Sequence, residues 1–220
     1  MCRPLDMKLL DTVLNLVFPP KCIFCGKIVE DSRNLTCSVC ASCLPFRENK
    51  AFFQKEGYID ICYAPFYYRD TVRDSLHRFK FGGCSHYADE YSKYILSALP
   101  SDLRVDLISY VPLSRKRFRE RGYNQAELIA GKLSEYLMLD SKRLLYKNIH
   151  NRAQSSTTSL QERKSNVTGV YFPADLSCEQ GKTVLLIDDI ITSGSTLNEC
   201  ARVLKENGVA RVICAAVAHS

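Results

Sequence analysis

The order of apolar and polar residues along the chain switches repeatedly between a period of two and a period near 3.6, which predicts strands and helices in turn. Leu9, Leu10, Val13, Leu14 and Val17 fall at helical spacing over residues 5–18 and stop at Pro19-Pro20, so a short amphipathic helix is expected there. Residues 59–67 alternate like a strand and lead into a helical pattern over residues 69–79, which Gly82 and Gly83 break; a further helix is expected over residues 87–99. Residues 106–111 read as a buried strand ended by Pro112, and residues 125–137 as a helix with Ala126, Ile129, Ala130, Leu133 and Leu137 on its inner face. Residues 144–150 fit either a third strand or an irregular connection, and order resumes at Val170-Tyr171-Phe172. Residues 184–187 and 211–218 are apolar runs of the kind buried on both faces of a sheet; between them Leu197, Cys200, Ala201 and Leu204 share one helical face, with Gly208 as the stop. Strands alternating with helices in this way predict an α/β domain with a mainly parallel sheet flanked by helices.

Two segments stand outside that pattern. Residues 151–167, NRAQSSTTSLQERKSNV, are polar and nearly free of large apolar groups, and a stretch of that length inside a compact domain reads as a lid or a disordered segment. Residues 22–43 carry Cys22, Cys25, Cys37, Cys40 and Cys43 in the order C-x2-C-x11-C-x2-C-x2-C. Two such knuckles supply four thiolates to one tetrahedral ion, which points to structural Zn2+ with no open position for catalysis ahead of a redox pair or an iron–sulfur cluster. Spacing leaves open whether Cys37 with Cys40 or Cys40 with Cys43 forms the second pair.

Composition narrows the class. At 220 residues the chain can bury one substantial core and carry a small appendage, so residues 1–50 are expected as an N-terminal helix and zinc ribbon and residues 51–220 as the main domain. Neither a secretory leader pattern nor an apolar run long enough to span a bilayer occurs, which predicts a cytoplasmic protein with no membrane span whose 11 cysteines serve metal before disulfides. Net charge is +6, which favours anionic partners without specifying nucleic acid. The basic residues concentrate in residues 112–124, where Arg115, Lys116, Arg117, Arg119 and Arg121 face only Glu120, in a segment leaving the carboxyl end of a strand, where open α/β sheets bind ligands. Aromatics over residues 51–81, interleaved with Arg69, Arg73, Arg78 and Lys80, fit a core better than a base-stacking surface.

The densest chemistry lies in residues 183–198, TVLLIDDIITSGSTLN. Asp188 and Asp189 stand at the carboxyl end of an apolar strand, and Thr192, Ser193, Gly194, Ser195 and Thr196 form a small, hydroxylated bend before a helix. Such a bend aims unsatisfied N–H groups and the positive end of a helix dipole at one spot, which suits a phosphate. Adjacent carboxylates accept hydrogen bonds from vicinal hydroxyls or reach a hard cation such as Mg2+. Together they describe a site for a ribose 5-phosphate. No GxxxxGK[ST] or GxGxxG motif is present, which excludes the P-loop and Rossmann dinucleotide classes.

The stretch LLIDDIITSGST over residues 185–196 resembles the phosphoribosyl pyrophosphate (PRPP) signature of type I phosphoribosyltransferases. The zinc knuckles, VPLSRKRFRERGYNQAELIA, ERKSNV and that signature together resemble the ComF family of bacterial double-zinc-ribbon proteins over nearly the whole chain. The resemblance implies a type I phosphoribosyltransferase-like fold behind a zinc ribbon. It implies Cys22, Cys25, Cys37 and Cys40 as metal ligands, with Cys43 spare. It implies Asp188 and Asp189 at the ribose hydroxyls, residues 192–196 at the 5-phosphate, Ser114, Arg115 and Arg121 at a Mg2+-bridged pyrophosphate, and Arg152, Arg163 and Asn166 in the lid. It also implies an association with the uptake of transforming DNA. Two functions follow as alternatives: a Mg2+-dependent phosphoribosyltransferase, or a non-catalytic PRPP sensor whose ribbon and basic segment grip single-stranded DNA beside the DNA-uptake machinery.

Overall fold

A computed structural model describes residues 19–52, 57–147 and 169–220. The helix expected over residues 5–18 and the lid residues Arg152, Arg163 and Asn166 lie outside them. The chain divides into a small unit ending at Leu44 and a larger one beginning at Pro45. The division falls ahead of residue 50 because Phe46 already stacks on Phe66, ring centroids 5.0 Å apart.

In the small unit the backbone folds back on itself around the cysteines. Lys21 and Ile28 form an antiparallel bridge, Gly26 N–H donates to the Cys22 carbonyl at 2.8 Å, and Gly26 has φ +76°, a conformation that favours glycine. A short helix, α1 (Ser38–Cys43), follows.

The larger unit is built on a sheet of β1 (Ala51–Phe52), β2 (Ile61–Tyr63), β3 (Phe66–Tyr67), β4 (Leu107–Tyr110), β7 (Thr183–Ile191) and β8 (Arg211–His219). Its order is β1-β2-β8-β7-β4, with β3 also on β8, and every pairing but β1 with β2 is parallel. This is the expected α/β architecture. The helices are α2 (Asp70–Phe81), α3 (Tyr87–Ala98), α4 (Arg115–Arg121), α5 (Gln125–Leu137) and α6 (Ser195–Glu206). Helices α3 and α5 pack together, α5 lying on β4 and β7 and α3 on β8. Helix α6 packs on β7 and β8 through Leu197, Cys200, Ala201 and Leu204, which join Val184, Leu186, Val212 and Cys214 in one buried cluster. Because successive strand residues point to opposite faces, Leu185 and Ile187 are buried on the other side.

Of the stretch 144–150, the described part contains a strand, β5 (Leu145–Lys147), which pairs antiparallel with β6 (Tyr171–Pro173) in a separate two-stranded sheet. Residues 112–124, read from sequence only as a basic run, contain α4, a helix with no buried residue and therefore no apolar period to announce it. The aromatics of residues 51–81 divide: Tyr63, Phe66 and Phe79 are buried, while Tyr67 and Phe81 are exposed. Among the described residues no helix is long and apolar enough to cross a membrane.

Candidate functional site

Strand β7 is longer than its apolar run. Beyond Ile187 it stays paired to β8 through Asp188 with Ala216, Ile190 with Ala218 and Ile191 with His219, so both acids lie within the strand. Strand β4 ends sooner: Tyr110 pairs with Ile187, and Val111 N–H gives a last bond to the Ile187 carbonyl at 2.9 Å. From Asp188 onward β7 therefore has no strand on its β4 side among the described residues, and the basic segment leaves from that gap. Asn124 fixes the far end of the segment. Its Nδ2 donates to the Val111 carbonyl at 3.0 Å, and its Oδ1 caps α5 by accepting from Ala126 N–H at 3.1 Å.

Asp188 is half-buried and Asp189 buried. Asp188 Oδ1 accepts the Asp189 N–H at 2.8 Å. Burial and the neighbouring Asp189 carboxylate push the Asp188 carboxyl up to about 7, opposed by that N–H, Lys80 and Lys147. Asp189 is held by an ion pair with Lys80 at 3.0 Å. Lys147 reaches the site from β5, its Nζ donating to Tyr171 Oη at 2.9 Å; burial and Arg117 lower its pKa.

The bend after β7 is open to solvent. Thr192 and Ser193 are exposed, and Ser195 and Thr196 half-buried. Ser193 Oγ and Ser195 Oγ are 2.9 Å apart. Gly194 takes the N-cap position of α6 at φ +70°, a left-handed conformation that suits glycine, and, having no side chain, gives the helix no cap of its own. Of the first N–H groups of α6, that of Ser195 makes a long bond of 3.4 Å to Ser193 Oγ, within a row of hydroxyls at the positive end of the helix.

Of the residues expected at a pyrophosphate, Ser114 accepts from Arg117 N–H and caps α4, while Arg115 and Arg121 diverge. Arg121 turns toward the acids: its guanidinium lies 5.0 Å from the Phe81 ring centroid and feels the charge of Asp189. Arg115 lines a cavity of about 720 Å³ with Arg119, Phe118, Arg143, Tyr146 and Phe172. On its wall Glu127 accepts from Tyr110 Oη at 2.7 Å and pairs with Arg143 at 3.5 Å. Lys147 and Arg143 escape the sequence reading and Lys80 enters it only among the basic residues interleaved with aromatics, because each comes from an element distant in the chain and carries no motif.

In the small unit the sulfurs of Cys22, Cys25, Cys37 and Cys40 lie within 4.8 Å of one another, and Cys25 and Cys37 are 3.6 Å apart. Zn–S bonds of about 2.3 Å in a tetrahedron put sulfurs roughly 3.8 Å apart, so this donor set fits zinc. Cys43 lies outside the cluster, its thiol donating to the Val39 carbonyl at 3.1 Å, which settles the pairing that spacing left open. The Cys40 N–H, donating to Cys37 Sγ at 3.4 Å, lowers the Cys37 thiol to about 7 and so favours the thiolate a metal takes. The cluster is the ligand set of a structural zinc site.

These features define a phosphoribosyl transferase domain behind a double zinc ribbon, and comparison with known families agrees. The phosphoribosyl transferase domain family matches residues 124–220, and the double zinc ribbon domain family matches residues 13–51. The chain belongs to the ComF family. It is 33% identical over 147 residues to competence protein ComFC of Bacillus subtilis, covering 65% of this chain and 57% of that protein. It is 34% identical over 103 residues to competence protein F of Haemophilus influenzae, covering 46% and 45%. To DNA utilization protein YhgH of Escherichia coli it is 30% identical over 151 residues, covering 66% of each. The chain thus spans between about half and two thirds of the length of these relatives.

Two outcomes are expected. Metal analysis should find one zinc ion per chain, and Cys37→Ser or Cys40→Ser should lose it, whereas Cys43→Ser should retain it. Because the Asp188 carboxyl is raised from 3.8 to about 7, the fold favours its protonated form, so its contribution to stability is full below the unfolded value and lost as pH rises through the folded one. Thermal melts should show wild type losing stability relative to Asp188→Asn between pH 4 and pH 7, by on the order of 1–3 kcal/mol; a difference constant across that window contradicts the shift.

Proposed function

We propose that this chain binds PRPP through β7 and the start of α6, with Mg2+, as a ComF-type protein serving DNA uptake in natural transformation. The observation that carries this reading is the sequence of groups along one strand end: two adjoining carboxylates, then a hydroxyl bend with exposed Thr192 and Ser193, then a helix N-terminus whose N-cap is Gly194. Backbone N–H groups and the hydroxyls of Thr192, Ser193, Ser195 and Thr196 take the 5-phosphate, Gly194 allowing its close approach. Asp188 and Asp189 accept hydrogen bonds from the ribose diol. Asp188 and Asp189 would also offer carboxylate oxygens to Mg2+, which would supply charge neutralisation at the pyrophosphate. Ser114, Arg115 and Arg121 are the pyrophosphate ligands in this reading, and Arg152, Arg163 and Asn166 the lid.

If the chain turns PRPP over, the bond from C1 of the ribose to pyrophosphate breaks with its electron pair on the leaving group. Positive charge builds on the sugar ring and negative charge on the pyrophosphate, and cations placed for the latter stabilise it most as it separates. Exclusion of water protects the sugar centre until an acceptor arrives. The names of the relatives support the biological setting, a competence protein in two cases and a DNA utilization protein in the third.

A second reading, a PRPP sensor that grips single-stranded DNA, is favoured by the cavity beside β4. Its exposed Phe118, Tyr146 and Phe172 offer faces for bases, and Arg115, Arg119 and Arg143 offer charge for the backbone.

Isothermal titration should give PRPP binding that requires Mg2+ and falls at least about a hundredfold in Asp188→Asn/Asp189→Asn, since charge-assisted hydrogen bonds to the diol are lost; unchanged affinity removes the reading. For the second, oligonucleotide affinity measured against salt should weaken in Arg115→Ala/Arg117→Ala/Arg119→Ala, with the logarithmic slope falling by roughly 2. Indifference to these changes leaves DNA no role at this face.

A further inference from the structure

Asp189 already has a partner. Its Oδ2 stands 3.0 Å from Lys80 Nζ, with the two side chains 12% and 20% exposed. So little exposed, a lone carboxylate or ammonium group is unfavourable, and each charge stabilises the other. A diol that takes Asp189 Oδ2 from the lysine must therefore provide for the lysine as well.

Lys80 cannot be withdrawn as a piece of α2. The end of that helix is fastened to the segment joining α4 and α5: Tyr123 Oη donates to the Phe79 carbonyl at 2.5 Å, and Gln125 Nε2 reaches the same oxygen at 3.4 Å. Arg121 lies over Phe81 and donates through Nη1 to Gln125 Oε1 at 2.9 Å. The lysine side chain, with its flexible four-carbon stem, is the part free to swing. Beside it, Arg121 Nε is buried and makes no hydrogen bond among the described residues.

We propose that Lys80 is a positioning residue of the ribose site: its ammonium group holds Asp189 in the ligand-free chain and moves to an anionic group of the ligand when the diol takes the carboxylate. This rests on the PRPP reading and adds to it a residue that lies ahead of the region matched to the phosphoribosyl transferase domain family, which begins at residue 124. With Lys80 in place the acid pair has an internal counter-charge. Without it, two carboxylates face each other with less compensation, so a divalent cation binds them more tightly while an anionic sugar phosphate binds less well.

The test compares wild type, Lys80→Met and Lys80→Arg by two titrations, Mn2+ alone followed by the spin-resonance signal of the free ion, and PRPP at fixed Mg2+ by calorimetry. Lys80→Met should bind Mn2+ several-fold more tightly and PRPP roughly tenfold more weakly, with Lys80→Arg close to wild type in both. A merely structural lysine would not tighten metal binding. If Lys80→Met does not fold, Lys80→Gln takes its place in both titrations. Mn2+ affinity unchanged by loss of the lysine charge, or no Mn2+ binding in any form, overturns the proposal. Failure of wild type to bind PRPP, with Mn2+ tightened as expected, instead removes the PRPP reading and leaves the hold of Lys80 on Asp189 standing.

Discussion

The hydrogen-bonded ladder between β7 and β8, continued past the point where β4 stops, is the constraint from which the candidate site follows. Pairing on both sides fixes β7 through Ile187; pairing on one side carries it on to Ile191. The acids are thereby held at a defined place on the rim of the sheet while one side of the strand stays clear. Parallel sheets offer ligand crevices at the carboxyl ends of their strands, and here the crevice coincides with the origin of the basic segment. Loss of that ladder would free both acids and the helix N-terminus that follows them.

The electrostatics follow from the placement. Adjoining carboxylates at the rim of an apolar core repel each other and resist ionisation, visible in the raised Asp188 carboxyl. Lys80 from α2, Lys147 from β5 and Arg121 from α4 all act on the pair, so three elements far apart in the chain supply the compensating charge. The zinc ribbon has a different task. Its four sulfurs would close the coordination of an ion and leave no open position for catalysis, and that ion would fix a segment too short to bury a core.

The sheet, the helix over residues 125–137 and the cysteine cluster were legible because each rests on a local pattern: an apolar run, a 3.6-residue period, a ligand spacing. What escaped has a common cause in that its determinants are not local. Asp188 and Asp189 read as a strand end, yet the ladder to β8 carries β7 past them. Helix α4 has no fully buried residue and so shows no apolar period. Lys80 stands over a hundred residues before Asp189, and no spacing rule connects a lysine in KFGG to an acid in LLIDD. The arginines of the basic run read as one patch, whereas the helix turns Arg115 to the cavity and Arg121 to the acids.

The most direct measurement of the central claim is a crystal structure of the full chain grown with PRPP and Mg2+. The account predicts the 5-phosphate seated on the backbone and hydroxyls of residues 192–196 and the ribose diol within hydrogen-bond distance of Asp188 and Asp189. Density for PRPP elsewhere on the protein, with Asp188 and Asp189 making no contact to the sugar, would contradict it.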